Sequence, residues 1–351
     1  MVRSKVPSSS RRVVIFALPG ALSLDVLGPF EIFVGAARLV ALRSLPPGFD
    51  FSDLTLLDRH QPAYDVVLAG ARVGPLASFS GAPLSVTDAL DELHGPVDTL
   101  IVAGGDLARM LKALADQPAL KSALRRIAKR ARRVASVCTG AFVLAAAGLL
   151  DGRRATTHWA ACELLQSSHP DVRVEREPIY TQDGNVYTSA GATTGMDLAL
   201  ALVREDLGSE VAREIARWLV LYVERSGSQP QLSQSLRAQV ADRKPLRDLQ
   251  LWIAEHLRED LSVSALAAQV GMSVRNFARA FKREMSITPA AYVEGLRVEA
   301  AQRKLELGTP SLAEVARDVG FGSVDTLRRA FVRATGQPPR ALRLLDPRSA
   351  S

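Results

Sequence analysis

Two stretches of this chain, about fifty residues apart, are versions of one another. "LAAQVGMSVRNFARAFKRE" (266–284) and "VARDVGFGSVDTLRRAFVRA" (315–334) each carry an early alanine, pass through Val-Gly, turn on a serine and close on Ala-Phe-x-Arg. Phe281 matches Phe331 and Pro289 matches Pro339, with one residue inserted after Gly320 in the second copy. A repeat of this length constrains the fold more than any composition does, because each copy is one supersecondary unit solved the same way twice. Helix, glycine-containing turn and second helix make the helix-turn-helix pattern.

The turn chemistry agrees. Gly271 and Gly320 stand where the chain leaves a helix and needs positive φ. Ser273 and Ser323 are N-caps for the second helices, and Ser311 with Glu314 forms a capping box for the first helix of copy two. At 3.6 residues per turn, Phe277 and Phe281 face inward, flanked by Val274 and Ala280. Arg275, Arg279, Lys282 and Arg283 then face outward with Asn276 beside them. In copy two Leu327 and Phe331 face inward, Asp325, Arg329 and Arg333 outward, and Thr326 flanks them.

Such faces predict two recognition helices in the major groove of double-stranded DNA, with early outward residues on base edges and later cations nearer phosphate. Arg275 and Arg279 suit guanine, Asn276 adenine, and Asp325 the cytosine amino group. A solvated charged face would explain one copy; matched faces in two copies favour DNA. Between the copies, Thr288 caps a helix opening at Pro289 and ending at Gly308. Nineteen residues, 289–307, span about 28 Å, near the roughly 34 Å of one B-DNA turn.

The 351 residues allow two or three domains, and the formal net charge is +7. Residues 245–351 hold 16 Lys and Arg against 12 Asp and Glu, so the repeat region is the more basic part. No apolar run reaches the length of a membrane span, and two cysteines form no disulfide framework. Both points lead us to expect a cytoplasmic protein with no membrane partner. "VVIFALPGALSL" after a basic start imitates a signal peptide, but Pro19-Gly20 breaks it. Residues 1–11 therefore read as a disordered basic tail and Val13–Ala17 as a buried first strand.

Residues 12–223 alternate short β-branched runs (13–18, 54–58, 64–70, 97–105, 132–137) with helical ones (Leu107–Ala115, Pro118–Ala131, Ala141–Gly148, Trp159–Ser167). That alternation predicts a parallel sheet covered by helices on both faces. "YTQDGNVYT" (180–188) reads as a hairpin around Asp183-Gly184. "RSGSQPQLSQS" (225–235) lacks periodicity and opens a linker, set at 224–244. The all-α unit follows at 245–345, with a tail at 346–351.

One motif in the α/β part carries chemistry. In "SVCTG" (136–140) Cys138 has small neighbours two residues either side, as at a nucleophile elbow. A helix starting near Thr139 would aim amides at the sulfur and favour thiolate. Gly104 and Gly105 end another strand and offer backbone donors. Asp25 follows the first strand and approaches the same crevice, and His158 is the histidine nearest in sequence. An ionised Asp25 would oppose thiolate, and no basic partner is visible nearby. Cys138 is therefore expected to line an effector pocket as a vestigial elbow, with no catalytic residue assigned. Cys162 reads as core. His60, His94, His169 and His256 show no ligand spacing, so no metal and no cofactor are expected.

Residues 245–343 resemble the DNA-binding domain of AraC/XylS transcription regulators, including "GFGSVDTLRRAFVRATGQPP". "LDVLGPFEIF" (24–33), "VAGG" (102–105), "SVCTGAFVLAAAGLL" (136–150) and "RRATTHW" (153–159) resemble the ThiJ/PfpI superfamily, whose fold is a flavodoxin-like α/β sandwich of the class I glutamine-amidotransferase kind. The likeness is nearest to its isonitrile-hydratase-like branch and to the fused regulators of the GlxA type. It maps Asp25, Cys138, Thr139 and His158 onto the pocket; Thr139 stands where the protease-like branch has histidine. It implies a homodimeric regulator that senses a small molecule, amino-acid-like or a quaternary amine, and works with RNA polymerase. The alternatives are a cysteine-dependent hydratase or amidase with a DNA-binding tail, and a Cys138 redox sensor.

Overall fold

The computed structural model describes residues 10–43, 63–221, 225–232, 244–307 and 311–339. It divides into two compact units, Met1–Gln231 and Leu232–Ser351.

The first unit is built on a seven-stranded sheet whose order places β1 (Arg11–Phe16) between β2 (Tyr64–Gly70) and β6 (Thr99–Val102). Beyond β6 lie β7 (Arg133–Val137), β11 (Val186–Ser189) and β10 (Tyr180–Asp183); β5 (Asp88–Ala89) is the far edge. All pairings are parallel except β10 with β11, the expected hairpin. Val13, Ile15 and Ala17 enter one core while Val14, Phe16 and Leu18 enter the other. A strand buried on both faces has no polar side, which is why its sequence reads as one apolar run. Helices α1 (Ser23–Arg43), α6 (Ala192–Leu207) and α7 (Ser209–Trp218) cover one face. Helices α2 (Leu107–Asp116), α3 (Pro118–Ala128), α4 (Gly140–Ala146) and α5 (Cys162–Ser168) cover the other. Two short ladders, β3 (Gly74–Ala77) with β4 (Pro83–Val86) and β8 (Arg154–Ala155) with β9 (Arg173–Val174), complete the unit.

Several boundaries differ from the sequence expectation. Arg11 is already in β1, which stops at Phe16, and residues 1–9 of the expected tail lie outside the described residues. The run 97–105 is strand only over Thr99–Val102. The helical run 159–167 opens as a 3-10 turn, Trp159–Ala161, before α5. The strand expected at 54–58 lies outside the described residues. The linker start is also corrected as far as residue 231. Ile179 N–H donates to the Gln229 carbonyl at 2.9 Å, and Gln231 N–H donates to Glu177 O at 2.9 Å. Arg225 bonds the buried Asp197 carboxylate at 2.6 Å, so this stretch belongs to the α/β unit.

The second unit is all helix among its described residues: α8 (Lys244–Glu255), α9 (Val263–Gln269), α10 (Val274–Met285), α11 (Pro289–Leu307), α12 (Leu312–Asp318) and α13 (Val324–Thr335). Copy one is α9–α10, copy two α12–α13, and α11 is the spacer. Gly271 (φ 66°) and Gly320 (φ 83°) take the left-handed turns. Ser273 accepts from Asn276 N–H at 3.4 Å and Ser323 from Thr326 N–H at 3.1 Å. Thr288 accepts from Ala291 N–H at 3.3 Å, and the capping box of Ser311 and Glu314 is formed in both directions. Gly308 lies outside the described residues. Phe277, Phe281, Leu327 and Phe331 are buried. Val274 is not: half of it is exposed. It shares the face of Phe277 and Phe281, but as the first residue of α10 it projects past the end of the core.

Candidate functional site

The outward face of α10 is as the periodicity places it. Arg275, Asn276, Arg279, Lys282 and Arg283 are exposed. In α13, Asp325, Arg329 and Arg333 are exposed and Thr326 is half-buried. Their surroundings differ, however. Asp325 pairs with Arg328 at 3.3 Å, and Arg333 is held by Glu294 of the spacer helix at 2.8 Å. No hydrogen bond or ion pair restrains Arg275, Arg279 or Arg329 among the described residues, which leaves these guanidinium groups available to a partner.

In the α/β unit, the carboxyl ends of β1, β6 and β7 meet at the point where the chain switches from one side of β1 to the other, the usual place for a site in an open α/β sheet. Cys138 follows β7 with φ 54°, a left-handed conformation costly for a non-glycine residue. Close packing maintains it. A Cβ on Gly104 would stand 2.6 Å from Thr139 N, and one on Gly140 2.2 Å from the Val102 carbonyl. These glycines permit backbone-to-backbone approach around the elbow.

The structure brings Asp25, Gly104, Gly105, Cys138 and Thr139 together, but not as free donors around a reactive sulfur. Gly104 N–H donates to Asp25 Oδ2 at 3.2 Å. Gly105 N–H donates to Thr139 Oγ1 at 2.8 Å, and Thr139 Oγ1 donates back to the Gly105 carbonyl at 2.9 Å. Both glycine amides are thus committed internally. Asp25 is fully buried under the elbow, not at its mouth, and its Oδ1 has no hydrogen-bond partner. Burial lifts its carboxyl to about 7, against the pull of the Gly104 amide and the neighbouring thiol.

The expectation of a favoured thiolate fails for the same reason. Burial, and then the Asp25 charge, push the Cys138 thiol up to about 12. The short α4, whose cap Thr139 spends its hydroxyl on Gly105, does not offset them. At neutral pH the sulfur is a thiol.

His158 is half-buried, and its Nδ1 accepts from Ala160 N–H at 3.4 Å. Burial lowers its pKa, so it is neutral at physiological pH. Cys162 is buried, as expected of a core residue.

Sequence reasoning missed two residues here. Thr157 Oγ1 donates to the Cys138 carbonyl at 2.8 Å. Gln231 Nε2 donates to the Thr157 carbonyl at 3.0 Å and to Thr156 Oγ1 at 3.1 Å. The last residue of the α/β unit is therefore two hydrogen bonds from the elbow. Thr157 lies inside a motif quoted above; Gln231 carried no signal of its own in a polar stretch.

Fold and site together define a two-part chain: a doubly wound α/β domain with a cysteine elbow, continued by a double helix-turn-helix of the AraC type. The DJ-1/PfpI family model matches residues 11–205, and a helix-turn-helix domain model matches 266–344. The chain belongs to the DJ-1/PfpI family and carries that helix-turn-helix domain C-terminally. It is 30% identical over 292 residues to the HTH-type transcriptional regulator CdhR of Pseudomonas aeruginosa, covering 83% of this chain and 85% of CdhR. It is 28% identical over 283 residues to the regulator GlxA of Rhizobium meliloti, covering 81% and 86%. Its α/β part is 39% identical over 196 residues to isonitrile hydratase of Pseudomonas putida, 56% of this chain and 72% of that enzyme. A ThiJ/PfpI protein of Pseudomonas syringae shares the fold, with a TM-score of 0.52, 19% identity, and coverage of 78% and 95%. No helix among the described residues is long and apolar enough to cross a membrane.

Proposed function

We propose that this chain is a cytoplasmic, sequence-specific transcription regulator that works as a homodimer and answers to a small molecule bound at the Cys138 elbow. The observation that carries the DNA reading is the pair of matched helix-turn-helix units, each presenting an unrestrained arginine, Arg279 and Arg329, at equivalent outward positions. Full-length relatives named as transcriptional regulators support it. RNA polymerase is the partner such a regulator implies.

The elbow acts as a binding site and performs no turnover. A nucleophilic cysteine needs a base or a cation to hold its thiolate. This one has a raised thiol pKa and faces the buried Asp25 carboxyl, whose negative charge opposes a thiolate instead of holding it. Asp25 lies beneath the elbow, out of a ligand's direct reach, so it acts through its charge: once ionised, its carboxylate favours an amine-bearing, amino-acid-like or quaternary-amine effector. Gln231 and Thr157 give ligand occupancy a bonded path to the end of the α/β unit.

The test uses effectors found by thermal shift on the wild type, since a ligand at 100 times its Kd adds about 2.7 kcal/mol of stability. Cys138→Ser keeps the size and hydrogen bonding of the elbow. Reporter output against effector dose should shift by less than about threefold, since no charged or buried-polar contact is lost. Product formed by the wild type and abolished in Cys138→Ser would establish a hydratase- or amidase-like enzyme. A response to oxidant lost in that variant would establish a redox sensor.

A further inference from the structure

The all-α unit does not have one core. Leu246, Leu266, Phe277, Phe281 and Leu296 belong to a cluster around copy one, while Val298, Val315, Leu327 and Phe331 belong to another around copy two. Among the described residues, the two clusters share only the spacer helix α11, whose first half serves one and second half the other. A shared helix fixes distance, but side-chain packing at its middle must fix rotation.

Polar side chains bridge the two copies there. Arg297, midway along α11, donates from Nε to the Leu257 carbonyl and from a terminal nitrogen to the Glu259 carbonyl, both at 3.1 Å. These carbonyls lie in the turn that leads into copy one. Arg258 of the same turn donates to the Asp318 carbonyl at 3.0 Å and to its carboxylate at 2.8 Å. Asp318 closes the first helix of copy two and also binds Lys304 of the spacer at 2.9 Å. Gly320, the turn of copy two, lies against the whole arrangement: a Cβ there would stand 1.9 Å from the Leu257 carbonyl and 2.9 Å from the Arg297 guanidinium. A Cβ on its counterpart Gly271 would meet nothing within 4 Å among the described residues. The same glycine thus serves backbone conformation alone in copy one, and backbone conformation plus inter-copy contact in copy two.

We propose that Arg297, Arg258 and Asp318, closed over Gly320, form a clasp that fixes copy two against copy one and so sets the spacing between the two DNA segments that the chain reads. These are positioning residues. They act through Arg279 and Arg329, and the inference rests on the DNA-binding reading. A rigid pair of recognition helices accepts one half-site spacing, because one base pair of insertion rotates the second site around the duplex.

The experiment is selection from a random duplex pool by the full chain, by Arg258→Ala and by Arg297→Ala, followed by titration of the wild-type sequence with and without one inserted base pair. The wild type should recover two short motifs at one spacing and lose at least about tenfold in affinity on insertion. Both variants should recover the same motifs at scattered spacings and lose less than about threefold on insertion. A fixed spacing in Arg258→Ala, with its thermal midpoint unchanged, overturns the clasp while leaving the DNA reading intact. Loss of both motifs in a folded Arg297→Ala also overturns it, since Arg297 would then support the recognition helices themselves. A wild type that enriches no motif overturns the DNA reading instead.

Discussion

Asp25→Asn should stabilise the folded chain, by about 2–4 kcal/mol above pH 7 and by almost nothing near pH 4. The carboxyl has an ordinary value of 3.8 and is raised to about 7 in the folded chain, chiefly by burial. Between those values the unfolded chain has released a proton that the folded chain keeps. The folded state binds more protons there, so stability falls as pH rises through that window and is flat above it. Asparagine cannot ionise, so the variant escapes the loss, while its side-chain oxygen still accepts from the Gly104 amide. Urea unfolding of both proteins at pH 4, 6 and 8 checks this, since effects of other groups cancel in the difference. A variant less stable than wild type at pH 8, or a difference independent of pH, would sink it. The sign matters for function: a buried carboxyl that costs stability at neutral pH is what a ligand-binding role would retain.

How much of this could be read from the chain alone varies by element, for physical reasons. The helix-turn-helix copies were legible almost to the residue, because caps, turn glycines and a 3.6 period are local and the repeat states each of them twice. The failure at Val274 is instructive: periodicity gives a residue's angle around a helix but not whether the core extends to that end. The sheet was legible where strands are buried on both faces, as at Val13–Phe16. Helix α1 was not, because "LDVLGPFEIF" carries Gly28 and Pro29 inside a nearly continuous apolar run. Its stability is tertiary: a Cβ at Gly28 would stand 2.9 Å from Met196, on a helix more than 160 residues away in sequence. The elbow's sequence gave its shape but not its electrostatics. That the Gly104 and Gly105 amides are already used, and that Asp25 is buried, depends on contacts between residues 79 and 34 positions apart. The linker was misplaced because a Ser/Gln/Gly-rich segment without periodicity can still be bonded down, as Gln231 and Arg225 are.

The second large effect falls on DNA. Arg279→Ala combined with Arg329→Ala should weaken binding to the selected duplex by about 2–6 kcal/mol, since each arginine on a base edge carries about 1–3 kcal/mol of discrimination. Binding to random duplex should change far less, because phosphate contacts from Lys282, Arg283 and other exposed cations remain. Arg333→Ala should do less on both, as Glu294 already engages that side chain at 2.8 Å. Competition titrations at one fixed salt concentration separate these cases. Equal losses on selected and random duplex would make Arg279 and Arg329 phosphate contacts.

The central claim is that one chain reads DNA at two places with two copies of one unit. Hydroxyl-radical footprinting of the full chain on its selected duplex tests it most directly. The account predicts two protected patches per chain on one face of the duplex, about one helical turn (roughly 10 base pairs) apart, with Arg279→Ala weakening one patch and Arg329→Ala the other. A single patch per chain, or two patches that respond identically to either substitution, would contradict it.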